Sequence, residues 1–266
     1  MAPSGFQSKV DMTFIGTATA IISVDGINFI TDPVFDQVGT TYDMEVVTLE
    51  SVLPPALGLH ELPPIDVVLL SHEDHPDNLD TSGRTLLNGR PVITTPDGAK
   101  NLKPRPAVHA INPWQTLPLK IGGKAFSITG TPCVHVPGGE TTGFILHAES
   151  FGTSLEGLPN AIYFSGDTIY IEELAQMRKK FHIVLAVINL GGATAPTPDG
   201  PVPITLDGKS AVKLVQDIGA EVVVPIHYDS WKHFNEPSTE SSKIFVEAGL
   251  KDKVIWLEPG VVKNIL

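Results

Sequence analysis

Between Ser71 and Asp80 the chain reads SHEDHPDNLD, directly after an apolar run that ends at Leu70. Within it His72, Glu73, Asp74, His75, Asp77 and Asn78 put six nitrogen or oxygen donors into seven positions. A tight loop leaving a rigid strand can aim several such groups at one point, because the turn reverses side-chain directions quickly, and a divalent ion needs that convergence. Read alone, the same stretch also fits a solvated acidic turn whose histidines cap the helix that follows.

Three further segments share its form. CVHVPGG carries His135, IYFSGDT carries Asp167 and VVVPIHYD carries His227, each at the end of an apolar run and spaced by 60, 32 and 60 residues counted onward from His75. A single histidine ending a buried strand is more often a core residue with its hydrogen bonds satisfied than a ligand. Four run ends that all carry His or Asp make a rarer pattern, and their agreement predicts a metal centre assembled from several strands.

The elements that must position these ends are short. Gly (24) and Pro (23) are scattered, which predicts many turns between short elements and no flexible linker. The stretch from Val10 to Phe35 reads as hairpins around an Asp25-Gly26 turn. Further strand-like runs lie at Ile65 to Ser71, Arg90 to Thr95, Lys124 to Gly130, Thr142 to Ala148, Ala161 to Gly166, Ile183 to Asn189 and Glu221 to His227. The clearest helical pattern is Thr205 to Ile218, where Ala211, Leu214, Val215 and Ile218 recur at spacings of three and four, with Thr205 suited to the N-cap and Gly219 to the stop. Two more helical pieces run from Ile171 to Lys179 and from Ser241 to Glu247. Strands apolar on both faces, interspersed with helices, predict sheets covered on their outer faces by helices.

A chain of 266 residues with 42% hydrophobic and 18% charged residues has ample material for a core, and one domain over 1–266 is expected. With 18 Lys and Arg against 30 Asp and Glu, the net charge is −12, and the longest basic run is Arg178 to Lys180. A nucleic-acid partner is disfavoured. No apolar run approaches the roughly 18–20 residues that span a bilayer, so no integral membrane association is expected. The lone Cys133 closes no intrachain disulfide and the opening MAPSGFQSKVD lacks the apolar centre of a leader, which together predict a cytoplasmic protein. Oligomeric state is not legible.

Several other residues are candidates for lesser roles. Asp32, after the apolar NFIT, can orient a ligand histidine from behind. Tyr228, Asp229, Trp231 and His233 follow His227 and can line a pocket mouth, as can Tyr42, Asp43 and Met44. The PGGE turn at Pro137 to Glu140 can bring backbone close to the centre, and Gly191 to Pro201 reads as a long loop able to act as a lid. Cys133 reads as a small core group, and His60, His109, His147 and His182 as structural.

Across almost its whole length the chain resembles the metallo-β-lactamase-fold hydrolases. Within them it is most similar to the L-ascorbate-6-phosphate lactonase-like group, to which N-acyl-phosphatidylethanolamine phospholipase D is also related. The opening MTFIGTATAIISVDGINFITDPVF looks like that group's Gly-His-Ala-Thr stretch and hairpin ending in Thr31-Asp32-Pro33, and SHEDHPDNLD stands in the place of its His-x-His-x-Asp-His signature. The resemblance implies an α+β fold, a four-layer αββα sandwich of two mixed sheets covered by helices, with the site at the sheet ends. It implies one or two divalent ions (zinc, manganese or iron) held by His72, His75, Asp77, His135, Asp167 and His227, with Asp167 bridging.

Three departures stand out. The spacing is His-x-x-His, so either the loop holds an extra residue or Glu73 replaces the first histidine; the preserved strand length up to His72 favours the extra residue. Asn78 stands where the signature has its last histidine, leaving its part in the metal site open, and Thr17 replaces the opening histidine, at a position that can face substrate. The implied activity is hydrolysis of a small cyclic ester or amide, a lactone or lactam, by metal-bound hydroxide, with Asp77 handling the proton. Thr17, Tyr42, Tyr228 and Trp231 are the candidate substrate-pocket residues. The alternatives are a phosphodiesterase or phospholipase D-like hydrolase, and a non-catalytic scaffold with an eroded site.

Overall fold

A computed structural model describes residues 5–44 and 47–266; the first four residues of the opening MAPSGFQSKVD lie outside them. The opening run forms three antiparallel strands, Val10–Gly16, Thr19–Val24 and Ile27–Thr31. Asp25 and Gly26 join the last two with φ of 49° and 84°, the positive pair that a tight hairpin turn requires. Ile27–Thr31 then pairs in parallel with Val67–Leu69, which pairs in parallel with Val92–Thr94, and that strand with Val108–Ala110. With Lys263–Asn264 on the far edge, this sheet has seven strands among the described residues. A second sheet of six runs in the order Val222–Ile226, His182–Asn189, Asn160–Phe164, Thr142–His147, Lys124–Pro132 and Thr116–Ile121. Both sheets mix parallel and antiparallel pairs.

Alternation along each strand builds the layers. Val67 and Leu69 face inward with Phe14, Ile22 and Phe29, meeting Phe126, Phe144, Ile162, Phe164 and Val187 of the second sheet. Val68 and Leu70 face outward, under Leu79, Leu86 and Leu87 around the helix Thr81–Leu86. On the opposite side Tyr163, Ile183, Ile188 and Val223 carry Leu214, Val215 and Ile218 of the helix Gly208–Ile218, and Phe245 of the helix Ser238–Glu247. The result is an α+β sandwich of two mixed sheets between helices. No helix among the described residues is long and apolar enough to cross a membrane.

The helices differ from the sequence reading at their ends. The long one starts at Gly208, capped by Asp207, whose side chain accepts from Ser210 N at 2.8 Å while Ser210 Oγ accepts from Asp207 N at 3.1 Å. Thr205 is two residues short of that cap and spends its hydroxyl on Ala193 N at 2.8 Å. Gly219 ends the helix with φ 71°. The Ile171 to Lys179 piece divides into a 3-10 turn, Glu172–Gln176, and a short helix, Met177–Lys180.

Strand direction gathers the candidate residues. Thr31 pairs with Leu69, Phe164 with Val187 and Asn189 with Ile226, so parallel strands end together at one edge; Pro132 pairs with Thr142 and brings a further strand end to it. The two sheets touch there, where Thr142 N donates to Ser71 O at 3.0 Å. Gly166 makes the approach possible: at φ 57° a Cβ would fall 2.6 Å from Thr142 O and 2.8 Å from Ser71 Cβ.

Candidate metal centre

His72 and His75 leave the strand Val67–Leu69 by the Ser71 turn, and His135 follows the strand Lys124–Pro132. Their nearest ring nitrogens lie within 4.8 Å of one another. His72 Nε2 is 3.0 Å and His135 Nε2 3.2 Å from His75 Nδ1. The other nitrogen of two of the rings is committed. His135 Nδ1–H donates to Ile204 O at 2.6 Å, which leaves a lone pair on Nε2. His72 Nδ1 is 2.8 Å from Ser71 Oγ, which in turn is 2.7 Å from Asp32 Oδ2. With Asp32 ionised, the Ser71 hydroxyl gives it its one proton and can only accept from His72, so the His72 lone pair also sits on Nε2.

Three nitrogens thus converge around one place with at most the proton of His75 Nδ1 among them. That proton satisfies one neighbour and leaves the other lone pair facing it unmatched; a cation satisfies all three. Burial, followed by the neighbouring imidazoles, holds His72 well below the ordinary histidine range, and burial likewise lowers His135. Both rings are therefore in the neutral form that binds metal. Burial first, and then the negative charge of Asp167, push the Asp32 carboxyl well above the usual range, against three donors from Ser71 and Asn78. A divalent cation nearby acts in the opposite direction and favours the Asp32 anion.

A second group borders the first. Asp167 Oδ2 lies 3.9 Å from His135 Nε2 and 3.4 Å from His227 Nε2, while its Oδ1 accepts from Asn189 Nδ2 at 2.7 Å. His227 donates from Nδ1 to Leu190 O at 3.0 Å, and its buried Nε2 has no hydrogen-bond partner among the described residues. The residue is held at φ 63°, with its backbone N on Thr17 O at 2.6 Å. Asp77 Oδ2 is 3.2 Å from His233 Nε2, and its Oδ1 has no partner. Burial alone would raise the carboxyls of Asp77 and Asp167, but the imidazoles around them outweigh it and hold both low: His233 first for Asp77, His227 first for Asp167. Imidazole nitrogens and carboxylates in this mixture suit zinc, manganese or iron.

His75, Asp77, His135, Asp167, His227 and His233 all line one cavity of about 390 Å³. Its remaining wall is mainly apolar, with Met44, Val47, Leu49, Pro196, Pro198 and Ile204, and none of the described residues lining it is Lys or Arg. Ala193 to Pro198 of the Gly191 to Pro201 loop line it, and a two-residue ladder pairs Thr194–Ala195 with Val202–Pro203.

Other candidates lie elsewhere. The Glu73 carboxylate pairs with Arg84 and accepts from Asn101 Nδ2, each at 2.9 Å. Asn78 turns its Nδ2 to Asp32 at 3.1 Å, with Oδ1 unpartnered. Thr17, Tyr42, Tyr228 and Trp231 do not line the cavity. Trp231 Nε1 donates to Thr17 Oγ1 at 2.9 Å, Tyr42 donates to Asp36 at 2.7 Å, and Tyr228 packs on Phe14 and Trp256. Of Tyr228, Asp229, Trp231 and His233, it is His233 that lines the cavity. Cys133 Sγ sits 3.5 Å from Ser165 O, and His182 pairs with Glu221 at 3.0 Å, outside the centre. Ser71 and Asn189 were missed in the sequence, although each is a polar residue ending an apolar run, the form that singled out the others.

Two sheets facing each other under helices, with imidazoles and carboxylates gathered at one edge of both, define a metal-binding hydrolase of the four-layer sandwich class. The chain belongs to the β-lactamase superfamily, whose domain matches residues 27–228. It is 26% identical to an uncharacterized protein of Mycobacterium tuberculosis over 96% of this chain and 68% of that one. It is also 27% identical to a metal-dependent hydrolase of Methanosphaerula palustris, over 73% of this chain and 82% of that one. Among solved structures it resembles the isothiocyanate hydrolase from Delia radicum gut bacteria, with TM-score 0.74, 17% identity and coverage of 95% and 98% of the two chains. A metallo hydrolase of Ignicoccus hospitalis gives TM-score 0.72, 21% identity and coverage of 97% and 99%.

Proposed function

We propose that the protein is a metal-dependent hydrolase that opens a small, uncharged cyclic ester or amide, a lactone or lactam. The observation that carries the metal reading is the meeting of His72 Nε2, His75 Nδ1 and His135 Nε2 at 3.0 and 3.2 Å, beside a cavity rather than inside the core. His72, His75 and His135 would hold one divalent ion (zinc, manganese or iron), and Asp77, Asp167 and His227 would hold a second where one binds. Such ions acidify water and polarise a carbonyl oxygen.

The chain's own residues supply the rest. Ser71, Ile204 and Leu190 fix the ring tautomers, and Asn189 orients Asp167. Asp77 Oδ1, free of partners, can accept a hydrogen bond from attacking water and pass its proton to the departing ring atom. The apolar wall supports this substrate class. A phosphodiester, or a phosphorylated lactone such as the resembled group takes, would meet no Lys or Arg there, whereas an uncharged ring buries its apolar surface. The structural neighbour named for isothiocyanate hydrolysis is consistent with a compact neutral electrophile as well.

The test is metal content by plasma mass spectrometry on protein purified without chelator or histidine tag, with a hydrolysis panel of neutral lactones, lactams and bis(p-nitrophenyl) phosphate. Ring opening that disappears in His135→Ala and His227→Ala is the expected result. Activity on the diester with none on the rings rejects the substrate assignment. No metal after incubation with zinc, manganese and iron rejects the hydrolase and leaves a scaffold.

A further inference from the structure

We propose that His233 is a ligand of the second ion, completing a set of Asp77, Asp167, His227 and His233 with the imidazole that Asn78 does not offer. The inference rests on the metal-dependent reading above. Asn78 has its amide nitrogen committed to Asp32 at 3.1 Å, and an amide oxygen is a weak zinc donor beside imidazole. His233 comes from another loop, yet its ring is only 14% exposed and its Nε2 lies 3.2 Å from Asp77 Oδ2. On the same cavity His227 Nε2 lies 3.4 Å from Asp167 Oδ2. Two donors held about 2.0–2.2 Å from one ion at tetrahedral angles are about 3.3–3.6 Å apart, so the His227 pair at 3.4 Å has the spacing of neighbouring ligands and the His233 pair at 3.2 Å is about 0.1 Å short of it.

An unpartnered atom points the same way. His227 Nε2 is buried without a hydrogen-bond partner among the described residues, on the cavity that Asp77, Asp167 and His233 also line. Buried polar atoms are nearly always paired, and a cation bound there accounts for this exception. The loop carrying His233 is fixed to serve that role. Trp231 Nε1 donates to Thr17 Oγ1 at 2.9 Å, Lys232 N donates to Glu50 O at 3.0 Å, and Phe234 packs tilted against His227 with ring centres 4.4 Å apart.

The experiment counts metal equivalents and measures the affinity of each by chelator competition, on the full untagged chain loaded with zinc. Wild type should hold two equivalents. His233→Gln keeps an N–H donor for Asp77 but is a poor ligand; it should hold one, the second weakened by more than the roughly 10–100-fold that loss of an outer partner produces. His233→Ala should behave alike, Asn78→Ala should keep two, and Asn78→His in the His233→Gln background should regain the second. Circular dichroism checks that each variant is folded. Two equivalents in His233→Gln overturn the proposal, showing that His233 only positions Asp77. One equivalent in wild type, lost in His72→Ala, overturns it and leaves the hydrolase reading standing, while no metal in any protein overturns both.

Discussion

Asp32 takes both donors of Ser71: the backbone N on Oδ1 at 2.6 Å and the hydroxyl on Oδ2 at 2.7 Å. The carboxylate is fully buried, and the Ser71 hydroxyl links it to His72 Nδ1 at 2.8 Å. This chain sets which nitrogen of His72 carries the lone pair. Ser71→Ala removes the acceptor of His72 Nδ1–H while leaving the backbone bond to Asp32. Zinc affinity at the three imidazoles should then fall about 10–100-fold with the fold unchanged. An affinity within twofold of wild type, measured by chelator competition, would show that the tautomer is set elsewhere.

His72 and Glu73 are adjacent, and either can be read as the first donor of the loop. Their environments separate them. His72 Nε2 faces His75, whereas Glu73 is occupied by Arg84 and Asn101. Glu73→Gln should keep its metal content, and the loss of an ion pair that is 40% exposed on the Arg84 side should lower stability by less than about 1 kcal/mol. His72→Ala should release metal from the three-imidazole group. Metal loss in Glu73→Gln with retention in His72→Ala would reverse the assignment of the first ligand.

The layered fold and the meeting of His72, His75 and His135 were legible for one reason. Buried strands of this kind are apolar on both faces, so a His or Asp ending such a run is conspicuous, and the pairing, parallel for Val67–Leu69 and antiparallel for Lys124–Pro132, brings those ends together. Ser71 and Asn189 end similar runs, but Ser and Asn are common at such ends and do not signal a metal ligand as His or Asp does. The choice between His72 and Glu73 depends on loop dihedrals that no periodicity reports. Trp231, Tyr228 and His233 lie within six positions of one another, yet they point in different directions, because the loop is held by a contact between Trp231 and Thr17 from the far end of the chain.

The helix Gly208–Ile218 is capped by Asp207 and not by Thr205, the expected cap, although both have capping side chains. Their actual partners predict different outcomes. Asp207→Ala removes the acceptor of Ser210 N and should cost about 0.5–2 kcal/mol, seen as a lower urea midpoint at constant slope, with KM unmoved. Thr205→Ala strands the buried Ala193 N–H beside the cavity and should raise KM as well as destabilise. A KM change in Asp207→Ala alone would mean that the helix start, not the Thr205 hydroxyl, holds the cavity wall.

Cys133 gives a pH-dependent test of the strand end that carries His135. Loss of water around the half-buried thiol pushes it up to about 12, and its nearest acceptor is Ser165 O at 3.5 Å. A raised thiol pKa means less thiolate, the reactive form, at every pH below it. At pH 8 the thiolate fraction should be on the order of 10³ below that of an ordinary cysteine, given a free-thiol pKa near 8.5. Iodoacetamide should therefore label native Cys133 far more slowly than the urea-unfolded chain, with the native rate rising about tenfold per pH unit above pH 8 while the fold persists. Equal native and unfolded rates at pH 8 would mean that the Cys133 to His135 segment opens to solvent. His135 would then lack the fixed hydrogen bond to Ile204 on which its place in the metal centre depends.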